Sequence, residues 1–302
     1  MTLVLAATYL SVAGVDADRL ASPVLDRLAP GGAVVVRFVL GEDRLGKGGN
    51  GPPPPPSSAS EDNARRPFFC LTTRRRSSTS PPSTSLPAAE QQEARWGKSS
   101  IVEAQRRLLA NALLDATNQR FVLLSKSCVP LYNFTTVYSY LMHSAGATSF
   151  IDLFDTQRSR GRYRPAMAPT VMIANWRKGS QWFTTDRGLA LEVIGDVTYF
   201  PVFQRHCNGP CIMDEHYLPT FIAASKWHGN ANRTLTFTQW TRRPHPDSYN
   251  DVSVDLLQGM RNHGNCSDGG GTTSLCYLFA RKFPSRALTE LLRLAPRVMR
   301  FG

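Results

Sequence analysis

The run Cys211-Ile212-Met213-Asp214-Glu215-His216-Tyr217-Leu218-Pro219 sets two acids and a histidine between a cysteine and an apolar stretch. Carboxylates and imidazoles are the groups that hold metal ions and move protons near neutral pH. Consecutive residues on a helix or strand point in different directions, so Asp214, Glu215 and His216 cannot all face one ion, and no metal is expected there. One carboxylate acting alone fits better. Asp214 is expected to cap a helix running over residues 217–224, its oxygen accepting an orphan backbone N–H, with Glu215 in the first turn and free to act as a base. The plain alternative is an ordinary helix start with solvated acids.

A base works only if a scaffold holds it opposite a substrate, and the surrounding pattern is that of an α/β domain. Ser100 with Glu103 reads as a capping box, followed by Ile101, Ala104, Leu108 and Ala112 at helical spacing. The apolar run 120–125 reads as a buried parallel strand whose carboxyl end opens onto a site. Ser125 and Ser127 then stand where α/β folds bind nucleotides, or else serve the turn before Pro130. A helix over 134–143, a strand over 149–152, a basic loop region over 155–180, a helix near 186–196, strands over 235–240 and 275–281 and a final helix over 286–294 follow. This alternation predicts a central, mostly parallel sheet.

The start of the chain can be parsed as strand 2–12, helix 16–28, turn 30–32 and strand 33–40, giving a βαβ-like segment over residues 1–45. Residues 46–94 change composition to Gly, Pro, Ser and Thr, including five consecutive prolines, and read as a low-complexity insert or linker with one short strand over 67–72. Residues 95–302 form the third unit.

The chain has 302 residues, 42% of them hydrophobic, and a net charge of +12, so it can bury a full core and favours anionic partners. The one dense arginine cluster, Arg74-Arg75-Arg76, lies in the Ser/Thr/Pro-rich stretch rather than on a patterned element, and nucleic acid is not an expected partner. Six cysteines lack the C-x-x-C pairs of a zinc site; Cys207 with Cys211 and Cys266 with Cys276 are the near-neighbour candidates for disulfides. Asn133, Asn232 and Asn265 each open an N-x-S/T glycosylation sequence, compatible with a lumenal protein. No run reaches the ~20 apolar residues that cross a bilayer. The apolar residues 1–14 lack a basic lead-in and read equally well as a buried strand.

The segment Trp176-Arg177-Lys178-Gly179-Ser180-Gln181-Trp182-Phe183 is polar and aromatic in the manner of a binding site. Gly179 would let the backbone approach a ligand, Ser180 and Gln181 offer hydrogen bonds, and Trp182 is either a platform for a sugar ring or a core residue. Together with RWG (95–97), RRLLANALLD (106–115), RFVLLSKSCVPLYNFTTVYSYL (120–141), DEHYLPT (214–220) and LFARKF (278–283), this block resembles the plant branch of the core-2/I-branching β-1,6-N-acetylglucosaminyltransferases. The resemblance covers residues 95–301. It implies a GT-A-like nucleotide-sugar fold and inverting transfer of N-acetylglucosamine or glucuronic acid from a UDP-sugar to a glycan or glycoprotein hydroxyl. It also implies a Golgi-lumenal setting with a membrane anchor, which is not visible in this chain.

In that family the glutamate of the DEH block is the base, which maps onto Glu215. Basic side chains take the place of a divalent cation, so no cofactor is expected; Lys282 matches the family lysine, and Arg261, or Arg281 adjacent to the lysine in sequence, is its partner on the donor diphosphate. Ser125, Ser127, Asp214 and residues 179–182 are assigned to the donor or acceptor pocket. The literal D-x-D at Asp16-Ala17-Asp18 lies outside the resembling region and reads as a helix cap. The first 94 residues depart from the family pattern, whose opening βα unit helps to hold uridine. The rival readings are a non-catalytic glycan- or nucleotide-binding remnant of the fold and a basic nucleic-acid binder.

Overall fold

The computed structural model describes residues 94–125, 127–144, 148–241, 245–268 and 271–299, and three earlier strands. Those strands are β1 (Thr2–Ala7), β2 (Val34–Val39) and β3 (Phe69–Thr72). The expected helix at 16–28, its Asp16 and Asp18, and the rest of the insert lie outside the described residues. The chain continues through α1 (Ser99–Leu113), β4 (Asn118–Leu123), β5 (Val129–Pro130), α2 (Phe134–Ser139), α3 (Gln157–Arg160) and β6 (Thr184–Asp186). Next come α4 (Arg187–Gly195), α5 (Tyr199–His206), α6 (Met213–Ser225), β7 (Thr236–Thr238) and α7 (Val254–Arg261). The last elements are β8 (Cys266–Ser267), β9 (Thr272–Thr273), β10 (Phe279–Arg281) and α8 (Leu288–Val298).

The main sheet has the order β3-β2-β1-β4-β6. Its centre is parallel, with Leu5 opposite Val35 on one side and Val122 on the other, while β3 and β6 run antiparallel at the two edges. The sheet is therefore mixed, and the fold is mixed α/β. β4 explains why a continuous apolar run was needed. Phe121 and Leu123 enter the core built with α1, α4, α5 and α6, whereas Val122 and Leu124 enter a second core with α2, Phe150 and Phe279. Alternate side chains of one strand are buried on both faces.

Several sequence expectations shift. Lys98 is the N-cap of α1, so Ser100 and Glu103 do not form the expected capping box; Ser100 Oγ accepts the N–H of Arg95 at 3.0 Å, and Glu103 accepts from Gln204 at 2.6 Å. The stretch 149–152 makes single bridges to Asn230 and Thr184 in place of a strand, because the next N–H groups go to side chains, Ile151 to Asn230 Oδ1 at 3.0 Å and Leu153 to Asn232 Oδ1 at 2.8 Å. The strands expected over 235–240 and 275–281 shorten to β7 and β10, which join β5 in a separate three-stranded sheet. Cys207–Cys211 and Cys266–Cys276 are disulfides, as their spacing suggested.

Three helices had no counterpart in the sequence reading: the one-turn α3, inside the expected loop region 155–180, and the longer α5 and α7. α7 carries its own signal, a Ser253 side chain accepting the N–H of Leu256 at 3.1 Å ahead of buried Leu257 and Met260. α5 lacks a capping side chain at its own N-cap, since Thr198 makes no such bond. Its free N–H groups are met from upstream by Asp196, whose Oδ1 accepts from Thr198 at 2.9 Å and Tyr199 at 2.8 Å, and whose Oδ2 accepts from Phe200 at 2.8 Å. The same Oδ2 accepts the Tyr217 hydroxyl at 2.8 Å, and Arg106 reaches both that hydroxyl and the Asp196 carbonyl. The Asp196 carboxylate thus ties α5 to α6, and its main-chain carbonyl adds α1 through Arg106. Replacing Asp196 with Ala is expected to destabilise the domain by about 3 kcal/mol, from the lost cap and the stranded tyrosine hydroxyl; urea unfolding of the two proteins measures it.

Candidate active site

The acid run lies in the first turn of α6, and its register differs from the expectation. Ile212 is the N-cap, so Asp214 sits inside the helix and does not cap it. Its Oδ1 instead accepts the N–H of Gly97 at 3.0 Å, while the Gly97 carbonyl accepts from Met213 at 3.3 Å. Gly97 adopts φ +74, a left-handed conformation in which glycine carries no Cβ penalty. The reciprocal pair staples the RWG turn to the start of α6, and draws Asp214 away from the helix end because its carboxylate finds a better-placed donor across the chain.

The three side chains then diverge. Asp214 is buried with Oδ2 unpartnered, and its carboxyl is pushed up to about 7 by burial first and by the adjacent Glu215 second. His216 is fully buried, its ring stacked on Trp176 at 4.4 Å and 18°. Its Nδ1 lies 2.8 Å from the Arg177 carbonyl, which only a protonated Nδ1 can satisfy, and burial pushes its pKa down to about 4, so the ring is neutral. Glu215 alone turns to cations: its Oε2 accepts from Arg162 Nη1 at 2.8 Å and faces Lys178 Nζ at 3.3 Å. Both contacts fall on one oxygen. Oε1 has no hydrogen-bond partner among the described residues, and 19% of the side chain remains exposed.

Lys178 is delivered by the backbone. Pro219, four residues after Glu215 inside α6, has no N–H to give the Glu215 carbonyl. Gly179 N–H supplies that bond at 2.8 Å. Arg177 adds two more ties, donating its N–H to Thr220 Oγ1 at 3.0 Å and accepting from His216. Gly179 fits because a Cβ there would lie 2.4 Å from the Asp152 carbonyl oxygen and 2.8 Å from Pro219 Cγ. The close approach at Gly179 is therefore to the chain itself rather than to a ligand.

The other end of the same segment leads to a second cluster. Ser180 Oγ accepts the N–H of Trp182 at 3.1 Å, and Gln181 is half-buried beside it. Trp182 is buried in the main core, and the Arg281 guanidinium covers its ring at 4.7 Å, so the core reading describes it. Burial lowers the pKa of Arg281, and its Nε is buried without a hydrogen-bond partner. Cys128 lies beside Arg281, its thiol pushed up by burial, within 3.2 Å of Ser125 Oγ, which in turn contacts Ser127 Oγ at 3.0 Å. The Phe283 N–H donates to the Ser127 carbonyl at 2.9 Å, fixing the end of β10 against the loop after β4. Lys282, between them, has its N–H on the Asp247 carbonyl at 3.2 Å and accepts from Tyr249 at 2.9 Å. Ser125, Ser127, Trp182, Arg281 and Lys282 thus converge around the end of β10.

Arg261 does not join them. It donates to the carbonyls of Leu131 and Val298 and lies over the Tyr132 ring at 4.5 Å, a packing role between α7 and α8. Arg162, Lys178, Gly97 and Pro219 were missed as site residues. Lys178 and Pro219 lay inside recognised blocks, and a proline four residues after an acid in a helix is a legible sign of an open carbonyl. Arg162 gave no local sign, since its bond to Glu215 closes across 53 positions. Among the described residues no cluster of three or more His, Cys, Asp or Glu is arranged to hold a metal.

A mixed α/β domain with an ion-paired acid at a helix start and cations at a strand end is the class defined by fold and site. The core-2/I-branching enzyme family model matches residues 71–261, and the chain belongs to that family. It is 36% identical over 248 residues to Glycosyltransferase BC10 of Oryza sativa subsp. japonica, an alignment covering 66% of this chain and 60% of the relative. The chain thus spans less than two thirds of that relative's length.

Two outcomes follow from the packing. Gly179→Ala forces a Cβ into a backbone oxygen and is expected to cost about 1–3 kcal/mol of stability, read by thermal unfolding. Asp214 has a folded pKa near 7, above its ordinary 3.8, so its contribution to stability is present below pH 4 and is lost as pH rises through 7. Asp214→Asn keeps an acceptor for Gly97 and removes that dependence. The variant should melt a few degrees higher than the parent at pH 8, roughly the shift of 1 kcal/mol, and the gap should close at pH 4.

Proposed function

We propose that the protein is a glycosyltransferase of GT-A-like architecture. On this reading it moves N-acetylglucosamine or glucuronic acid from a UDP-sugar to a glycan hydroxyl, with inversion and without a metal ion. The observation that carries the reading is Glu215, held by two cations on Oε2 while Oε1 is left for a substrate. In the transfer, the acceptor hydroxyl gives its proton to Glu215 as its oxygen attacks C1 of the donor sugar from the face opposite the diphosphate. The C1–O bond to the diphosphate breaks, and the charge growing on the departing group is met by Arg281 and Lys282. A phosphate leaving group needs no acid of its own, so a single carboxylate suffices.

The sheet supports a donor site at this end. β1 is flanked by β2 on one side and β4 on the other, both parallel to it. Strand order reverses there, and such crevices at the carboxyl ends of strands are where α/β folds take nucleotides. Ser125 and Ser127 follow β4 at that edge. Family membership and the similarity to a named glycosyltransferase support the reaction class. Two disulfides support a lumenal, Golgi-type setting; no helix among the described residues is long and apolar enough to cross a membrane.

The test is turnover of UDP-N-acetylglucosamine and UDP-glucuronic acid on glycan acceptors, with and without chelator. Glu215→Gln is expected to lower kcat by about 10²–10⁴-fold, the usual worth of a positioned base, with UDP affinity retained. Full activity in that variant, or a strict need for added metal, overturns the mechanism. UDP binding without turnover in the parent protein would instead identify a non-catalytic member of the fold.

A further inference from the structure

Asn133 opens the sequence Asn133-Phe134-Thr135, and the transfer reaction leaves it without a role. It stands at the N-cap of α2, where its side-chain oxygen accepts the N–H of Thr136 at 2.9 Å. That bond occupies the oxygen of the carboxamide and leaves the nitrogen. Asn133 also lines a cavity of about 540 Å³ shared with Tyr132, Thr136, Gln258, Arg261 and Arg297. One wall is rigid, because Arg261 is fixed over Tyr132 and bonded to the Leu131 and Val298 carbonyls. An aromatic ring beside hydroxyl, amide and guanidinium groups is the chemistry that holds a sugar, whose C–H faces pack on rings while its hydroxyls pair with polar atoms.

The other two sequons lack such a surrounding. Asn232 is exposed, with its oxygen accepting from Leu153 at 2.8 Å and the Thr234 hydroxyl donating to the Trp182 carbonyl at 2.9 Å. Asn265 is exposed beside the Cys266–Cys276 disulfide. Neither lines the cavity. The two disulfides fit folding in an oxidising compartment, where N-x-S/T asparagines meet the oligosaccharide donor.

We propose that Asn133 is N-glycosylated and that the first N-acetylglucosamine of its glycan seats in this cavity, filling the space between α2, α7 and the end of α8. In the attachment, Asn133 Nδ2 bonds to C1 of a lipid-diphosphate-linked oligosaccharide. The C1–O bond to the diphosphate breaks, the lipid diphosphate leaves, and the amide proton passes to a base of the transferring enzyme. The inference rests on the lumenal setting proposed above and is independent of the role of Glu215.

The experiment is secretion of the full chain from a eukaryotic host, followed by glycopeptide mass spectrometry and thermal melting. The Asn133 peptide is expected to carry glycan. Trimming it enzymatically to a single N-acetylglucosamine should leave Tm unchanged. Thr135→Ala, at an exposed position, destroys the sequon while keeping the Asn133 cap, and should melt several degrees below the trimmed protein. An unmodified Asn133 beside glycosylated Asn232 or Asn265 overturns the proposal alone. Absence of glycan at all three overturns it as well, because a secreted chain has passed through the glycosylating compartment. Equal melting of Thr135→Ala and the trimmed protein overturns the seated sugar. Turnover by the same preparations, and its loss in Glu215→Gln, reports on the transfer reaction separately.

Discussion

The arrangement of the site depends on a missing hydrogen. Pro219 cannot donate to the carbonyl of Glu215, so the helix is left with an open acceptor one turn into its length. An unmet carbonyl in a packed interior is costly, and here Gly179 closes it from a separate segment. That bond can form only where the two backbones nearly touch, which is why residue 179 carries no side chain. The vacancy left by Pro219 therefore sets the position of residues 176–183 on α6, and with it the distance from Lys178 to Glu215.

That docking also sorts the three neighbouring ionisable groups into different states. Asp214 is sealed under the Gly97 turn, where burial and the adjoining acid favour its neutral form. His216 is sealed between Trp176 and the Arg177 carbonyl, where burial keeps it uncharged. Glu215, between them in sequence, faces outward to Arg162 and Lys178. A helix makes this possible because successive side chains leave it about 100° apart. The divergence expected of three consecutive residues is realised as three separate environments in space.

The sequence showed the parts of this design that are local or periodic. α1 and β4 were visible because their apolar spacing is tied to burial on one or both faces, and both disulfides because their cysteines are close in the chain. Glu215 was visible through its block. What stayed hidden was built by contacts between distant segments: Arg162 on Glu215, Gly97 holding Asp214, and Tyr217 of α6 on Asp196. The capping errors at Ser100 and Asp214 share one cause. In each case the polar side chain had a stronger claim from an N–H outside its own helix, which local rules cannot weigh.

The charge of +12 acquires a different meaning from the same contacts. Arg106 donates to the carbonyls of Ile194 and Asp196, and Arg187 to those of Leu113, Asp115 and Asn118. Arg164 holds Asn208, Arg233 holds Ser267 and Cys276, and Arg261 holds Leu131 and Val298. Each guanidinium donates to main-chain carbonyls at a helix end or in a loop, some part-buried and some exposed. These five arginines are thus spent on the backbone. Arg162 and Lys178 instead pair with the Glu215 carboxylate, and Arg281 lies over the Trp182 ring at the end of β10, so these cations sit where side chains and not only carbonyls meet them.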